Sequence, residues 1–348
     1  MNTGEKTDAL VKLGEYIDEL ILNDQNQVYK AACQQNPWFI PPFVNTALSG
    51  ISHFLKKKTL AKWLEAYDLN TQKPKTIGLI LAGNIPLVGF HDLLCVLFSG
   101  HCAHIKISHQ DRVLIKHLLE KLYTIEPGFG TQIRLVTSID KTDAVIATGS
   151  DNTARYFRAY FRHIPHLIRK NRTSIAILDG SETAEDLNGL SNDMFLYFGL
   201  GCRNVSKIYL PEKYKFDFLF SILENKQWLG DHPKFRSNYI YQKSCSRVLD
   251  MDILDGNFFL FLESDQLVSP VSVVYYSYYR DLDNVMDTLI LHKDKIQSLV
   301  TKVPNIKNAV SFGQAQIPDP WDYADQIDTL AFLLQLNELP ASPDLDPT

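Results

Sequence analysis

Apolar residues recur at three- and four-residue steps near the start of the chain, at Leu10, Leu13, Ile17, Leu20 and Ile21 and again at Phe54, Leu60, Trp63, Leu64 and Tyr67. That spacing places them on one face of a helix, so residues 1–70 read as an N-terminal helical segment. Asn36-Pro37-Trp38-Phe39-Ile40-Pro41-Pro42 separates the helices, because proline lacks the N–H that a helix interior needs. From Lys75 the period changes. Thr76-Ile77-Gly78-Leu79-Ile80-Leu81-Ala82 is a continuous apolar run of buried-strand type, stopped by Gly83-Asn84. A helical pattern follows over 86–98, then a strand over 103–107, a helix over 110–123, and strands over 132–136 and 143–147. Such alternation predicts an α/β protein with a parallel, doubly wound sheet.

A helix over 152–161 and a strand over 174–178 lead to Asp179-Gly180-Ser181-Glu182, where the boundary between two α/β domains is expected, one over 71–179 and one over 180–338. In the second, helical spacing over 186–197 runs into glycines, and a helix over 216–229 and strands over 257–262 and 271–276 follow. The last structured segment is expected at 321–336. Pro340, Pro343 and Pro347 with Asp344 and Asp346 then predict a flexible tail over 339–348.

Composition narrows the classes of function. At 348 residues and 45% apolar, the chain can fill more than one core. Its formal charge of −5, without a basic block, excludes nucleic acid as an expected partner. Cys33, Cys95, Cys102, Cys202 and Cys245 are odd in number and irregular in spacing, which fits reduced thiols in a cytoplasmic protein. Neither a secretory leader after Met1 nor an apolar run of membrane-spanning length is apparent, so a location in the cytoplasm, with no membrane span, is the expectation.

The candidate nucleophile is Cys202, set in Phe198-Gly199-Leu200-Gly201-Cys202-Arg203-Asn204, where Gly199 stops a helix and a strand-like run begins at Val205. Glycines at such a turn let the backbone approach a substrate and leave peptide N–H groups to meet a developing negative charge. A small buried cysteine beside packing glycines would show the same pattern. Asn84 ends the first strand, at the edge where open α/β sheets bind ligands; its amide can donate to an oxyanion or simply cap the following helix. Gly149 and Ser150 make a similar strand-to-helix junction, able to meet a phosphate or to cap a helix. Lys106 ends a strand at the same edge. Arg155, Arg158, Arg162, Arg169, Lys170 and Arg172 form a basic stretch that reads either as a phosphate contact or as a solvated face. His101, Cys102, His104 and His109 lack paired metal-ligand spacing, so no metal site is expected.

Taken in order, Ala82-Gly83-Asn84-Ile85-Pro86, Ile105-Lys106-Ile107-Ser108, Ala147-Thr148-Gly149-Ser150, Gly199-Leu200-Gly201-Cys202-Arg203-Asn204 and Ser311-Phe312-Gly313-Gln314 resemble the aldehyde dehydrogenase superfamily, and within it the LuxC-type fatty acyl-CoA reductases. The resemblance runs from about Asn36 to Leu333. It implies an aldehyde-dehydrogenase-like fold, with a nicotinamide-binding domain over 71–179 and a catalytic domain carrying the nucleophile over 180–338. It implies Cys202 as nucleophile, with its own N–H and the Asn84 amide holding the thioester oxyanion. Lys106, with Ser108 and His109, would meet the adenosine ribose, and Gly149 and Ser150 would lie in the cofactor region.

Three departures refine the expectation. Where aldehyde-oxidising relatives carry a glutamate base, this chain has Arg169-Lys170-Asn171-Arg172-Thr173-Ser174, which favours reduction over hydrolysis. Where many NAD-preferring relatives carry a glutamate after the ribose lysine, it has His109, which would not repel a 2′-phosphate. NADPH is therefore the expected cofactor, with NADH open. Where the family anchors the nicotinamide ribose, it reads Gln266-Leu267-Val268-Ser269-Pro270. The expected activity is reduction of an acyl-CoA to an aldehyde through an acyl-cysteine. Cysteine-dependent acyl transfer or thioester hydrolysis and a non-catalytic acyl-CoA-binding scaffold are the alternatives. A protein partner that delivers the acyl group and a homo-oligomer stay open.

Overall fold

The computed structural model describes residues 1–23, 26–69 and 73–337; the tail expected over 339–348 lies outside the described residues. The chain divides into two compact units, residues 1–171 with 319–348, and residues 172–318.

The first unit opens with helices α1 (Thr3–Ile21), α2 (Gln27–Gln35), α3 (Pro41–Leu55) and α4 (Lys57–Leu64). Leu10, Leu13, Ile17 and Leu20 face the core, as their spacing requires, and α3 begins on Pro41, whose missing N–H would have no helical partner there. The sheet of this unit comprises β1 (Thr76–Ile80), β2 (Cys102–Lys106), β3 (Ile133–Leu135), β4 (Ala144–Thr148) and β5 (His166–Arg169), connected through α5 (Phe90–Phe98), α6 (Arg112–Ile125), α7 (Phe129–Gln132) and α8 (Asp151–Phe161). Its order is β3-β2-β1-β4-β5, with every pairing parallel. Alternate residues separate cleanly. Ile77, Leu79, Ala103, Ile105, Ala144 and Ile146 enter the core shared with α1, α3, α5 and α6, whereas Val145 and Ala147 pack with Phe161 of α8 on the other face. Helices therefore cover both faces, as a doubly wound parallel sheet demands.

The second unit holds β6 (Thr173–Ile177), α9 (Ala184–Phe195), β7 (Val205–Pro211), α10 (Phe216–Leu223), α11 (Pro233–Val248), β8 (Ile253–Asp255), β9 (Leu260–Glu263), β10 (Val273–Tyr279), α12 (Leu282–Leu291), β11 (Ile296–Thr301) and β12 (Ala309–Val310). The sheet order is β12-β11-β6-β7-β10-β9-β8, parallel except at the β8 edge. After it the chain returns to the first unit with α13 (Thr329–Leu334), which packs on α5.

The division falls at 171/172, earlier than the expected 179, because β6 hydrogen-bonds between β7 and β11 and so belongs to the second sheet. The segment from Asp319 onward also belongs to the first unit rather than to the second. Its anchors are specific: Tyr323 accepts from Trp63 Nε1 at 2.8 Å, His91 Nε2 lies 2.8 Å from the Pro320 carbonyl, and Tyr67 donates to Asp328 at 2.7 Å.

Candidate active site

In the first unit, β1 is the point where strand order reverses direction: one connection leads outward to β2 and β3, the other to β4 and β5. Loops leaving the carboxyl ends of β1 and β4 diverge there, opening the crevice in which doubly wound sheets take ligands. Gly83 and Asn84 lie on the first loop; Gly149 and Ser150 lie on the second. Lys106 ends β2, is exposed, and pairs in register with Ile80. Ser108 and the exposed His109 follow it. The five expected cofactor residues and Asn84 thus occur at one edge of one sheet.

The β1 loop is held from several sides. The buried Asn36 donates to the Gly83 carbonyl at 3.3 Å, and the buried Asp111 carboxylate accepts the Leu87 N–H at 2.6 Å. A Cβ at Gly83 would stand 2.5 Å from Ser108 Oγ, and one at Gly89 would stand 2.6 Å from Leu81 Cδ2, so glycine is required at both. Burial pushes the Asp111 carboxyl up to about 8, against the lowering effect of the Leu87 N–H. These contacts also explain a correction. The helix expected from residue 86 starts only at Phe90, because the loop folds back on β1 and carries Leu87 through a left-handed φ of 58°. Gly89, with no side-chain bond, is the N-cap of α5. Asn84 therefore does not cap this helix and stands exposed on the loop.

Ser150 is the N-cap of α8, accepting from Thr153 N–H at 3.4 Å. A Cβ at Gly149 would meet Thr153 at 2.9 Å, so only glycine lets the strand pass this closely beneath the helix start. The capping role and an anion-facing role coexist at a helix N-terminus, where first-turn N–H groups point outward. Gly83 is buried and Gly149 half-buried at this edge, whereas Lys106 is exposed.

Cys202 belongs to the second unit. Beyond α9, Tyr197, Phe198 and Gly199 adopt successive left-handed φ values of 53°, 57° and 75°. Two bulky residues in that region are costly, about 1–3 kcal/mol each, and persist only where packing fixes them. Phe198 is 1% exposed, with its ring centroid 4.4 Å from His232 and 5.4 Å from Phe235. Asn204 N–H donates to the Gly201 carbonyl at 3.1 Å, closing a turn with Cys202 at its second position and the cysteine half-buried. Ser174 Oγ, on β6, donates to the Cys202 carbonyl at 3.2 Å.

Two residues with no role assigned by sequence stand behind this turn. Asn204 is 2% exposed; its Oδ1 accepts the Gly201 N–H at 2.8 Å and its Nδ2 donates to the carbonyls of Asp193, Met194 and Leu196 at 3.0, 3.3 and 2.9 Å. The Asp193 carboxylate accepts the N–H groups of Gly313 and Ala315 at 2.6 and 3.2 Å. It thereby fixes the loop that contains Ser311-Phe312-Gly313-Gln314, and burial pushes its carboxyl up to about 7. The cavity beside the turn, lined by Phe198, Gly199, Asn204, Ser206 and Ser272 among others, measures about 30 Å³. That is room for a water molecule or two and far below the ~300–1,000 Å³ of a ligand pocket.

Other candidates resolve differently. Arg169 is 6% exposed, ion-paired with Asp92, and donates to Thr329 Oγ1 at 2.7 Å, so it clamps the first unit instead of facing a ligand. His101, 1% exposed, accepts the Lys75 N–H at 3.2 Å and lies 2.9 Å from the Leu333 carbonyl, which makes it a satisfied core histidine.

Residues 24–219, more than half of the 348-residue chain, match the family model described as acyl-CoA reductase (LuxC). No curated protein sequence matches. Solved structures with the same architecture include HpcC from Thermus thermophilus (TM-score 0.66, 12% identity, covering 88% of this chain and 71% of that one). An aldehyde dehydrogenase from Bacillus cereus in its NAD+ complex gives a TM-score of 0.63 at 14% identity, covering 88% and 73% of the two chains. A mutant of the P. syringae indole-3-acetaldehyde dehydrogenase AldA, in complex with NAD+ and IAA, gives 0.64 at 10%, covering 91% and 75%. At these identities the likeness establishes the fold, which is that of the aldehyde dehydrogenases.

Proposed function

This chain belongs to the acyl-CoA reductase (LuxC) family, and we propose that it reduces a fatty acyl-CoA thioester to the aldehyde with NADPH, through an acyl group carried on Cys202. It is an oxidoreductase of the aldehyde dehydrogenase fold. The observation that carries the finer reading is the Cys202 turn itself: a half-buried thiol on a backbone locked by buried polar groups, within the span that matches the family.

The Cys202 thiolate attacks the thioester carbonyl and forms a new C–S bond, and the C–S bond to coenzyme A breaks as its thiolate leaves and takes up a proton. The Cys202 N–H and the exposed Asn84 amide donate to the oxyanion formed on attack. The nicotinamide, when bound, supplies hydride to the acyl carbon. The resulting thiohemiacetal then collapses, returning the cysteine sulfur and releasing aldehyde. Lys106, Ser108 and His109 bind the adenosine end; His109 carries no charge that repels a 2′-phosphate, which supports NADPH over NADH. Gly149 and Ser150 present the α8 N-terminus to the phosphates. Where aldehyde-oxidising relatives carry a glutamate base this chain has residues 169–174, with Arg169 buried against Asp92, which supports reduction over hydrolysis.

An absorbance assay of NADPH oxidation across acyl-CoA chain lengths, with aldehyde identified as product, tests this reading. Coenzyme A release that needs no nicotinamide would instead indicate acyl transfer or thioester hydrolysis. Saturable acyl-CoA binding unaffected by Cys202→Ala, with no product, would indicate a scaffold.

A further inference from the structure

We infer that Asn204 is the positioning residue for the Cys202 nucleophile, an assignment that rests on the reading of Cys202 as the acyl carrier. A turn of four residues has few ways to hold a side chain to the tolerance that chemistry demands, and this one borrows its rigidity from a helix end. The last carbonyls of α9 have no partners within the helix. The Asn204 amide supplies them: Nδ2 reaches Asp193, Met194 and Leu196, spanning both the end of α9 and the first residue past it. The same amide accepts the Gly201 N–H through Oδ1, and the Asn204 backbone N–H closes on the Gly201 carbonyl. The Asn204 carbonyl in turn accepts from Ser174 N–H at 3.0 Å, fixing the turn to the centre of the sheet.

One buried side chain therefore ties the Leu200–Gly201 peptide to α9, while the Asn204 backbone bonds the Gly201 carbonyl of the next peptide and ties the turn to β6. An isostere without the amide cannot do both. Aspartate could still accept from Gly201, but its second oxygen would face three carbonyl oxygens without a proton to share. Alanine would take the side-chain acceptor from the Gly201 N–H and the amide donor from the α9-end carbonyls, of which Asp193 has a second donor, Gln316 Nε2 at 3.4 Å, in a site that is 2% exposed. Asn204 does not touch the substrate. It acts through the orientation of the Gly201–Cys202 peptide, and so through the thiol and the N–H that the oxyanion meets.

The test compares wild type, Asn204→Ala and Asn204→Asp by steady-state kinetics with acyl-CoA, by single-turnover acylation followed as intact mass, and by the pH profile of iodoacetamide alkylation at the Cys202 peptide. For a folded Asn204→Ala, acylation and kcat should fall by roughly 10- to 100-fold, since small misplacements of a reacting group cost this much. KM for acyl-CoA should change by less than about threefold, and the alkylation profile should shift in pH, which general loosening of the fold would not produce. Wild-type kcat and an unchanged profile in a folded variant would overturn the inference. If Asn204→Ala does not fold, Asn204→Asp decides: it keeps an acceptor for the Gly201 N–H but loses the donor to the α9-end carbonyls, and it should lower acylation severalfold, whereas an unaltered rate overturns the assignment. Absence of any Cys202 adduct in the wild type would mark failure of the parent reading, whereas a normal adduct with normal kinetics in both variants marks failure of this one alone.

Discussion

Asn204 accepts the Gly201 N–H on its side-chain oxygen at 2.8 Å, so the residue two places after the cysteine holds the backbone of the glycine immediately before it. The turn between them is defined by hydrogen bonds on both sides, and its geometry is set by α9 and β6 rather than by the glycines alone. Measurable consequences arise from this arrangement and from the edge of the five-stranded sheet.

Asn84 stands exposed on a loop fixed by Asn36 and Asp111, and Gly89, not Asn84, is the N-cap of α5. Asn84→Ala should lower turnover by about 10²–10³ in the protein that remains folded, the loss found when an oxyanion donor is removed. Steady-state kinetics with acyl-CoA, alongside thermal unfolding, check this. Wild-type turnover would remove Asn84 from the chemistry.

Lys106 and His109 concern the cofactor alone. Lys106→Ala should raise KM for the nicotinamide by about tenfold, the equivalent of one charge-assisted hydrogen bond, and leave acylation by acyl-CoA in the absence of nicotinamide unchanged. His109→Glu should lower kcat/KM for NADPH by at least about tenfold relative to NADH, because like charges across an interface are repelled. An unchanged NADPH-to-NADH ratio would place the 2′-phosphate elsewhere.

Asp193 predicts a pH dependence of stability. Burial raises its carboxyl from 3.8 to about 7, so the folded chain holds a proton that the unfolded chain releases. Its contribution to stability is complete below about pH 4 and is lost as pH rises through about 7. Between those limits the wild-type urea midpoint should fall more steeply than that of Asp193→Asn, which cannot titrate. Parallel profiles would show that Asp193 does not titrate in this window.

Gly189 in α9 and Gly313 approach with their backbones in contact: a Cβ at Gly189 would stand 2.8 Å from the Phe312 carbonyl carbon and oxygen. Neither atom belongs to a flexible side chain, so the loop must move. Gly189→Ala should destabilise the fold by about 1–3 kcal/mol, the usual cost of overpacking, measured by equilibrium denaturation.

Much of the fold is legible in the sequence, and the exceptions have physical causes. β1 and β4 are buried on both faces and announce themselves as apolar runs. β5 is four residues with a histidine and an arginine at its ends, and only Arg169 among them is fully buried, so no apolar run marks it. The sixteen-residue α11 buries only Phe235, Tyr239 and Ser246, too few to set a helical period. Residues 86–89 carry a helix-like pattern, yet the Asp111 bond and the left-handed Leu87 keep them in a loop. At the candidate site, the local pattern places Cys202 on a turn and Asn84, Lys106 and the Gly149-Ser150 junction at or just beyond strand ends, where the structure has them. The supporting residues carry no such local pattern. Asn204 acts through carbonyls eight to eleven residues away, and Asp193 through N–H groups 120 and 122 residues away, separations over which one sequence carries no pairing signal.

The proposed chemistry depends above all on Cys202 carrying the acyl group. Intact mass of the wild-type protein after incubation with a long-chain acyl-CoA, without nicotinamide, is the decisive measurement. We expect one acyl increment, mapped to the Cys202 peptide, absent in Cys202→Ala and discharged as aldehyde when NADPH is added. An unmodified wild-type mass, or an increment of equal yield in Cys202→Ala, would contradict this role.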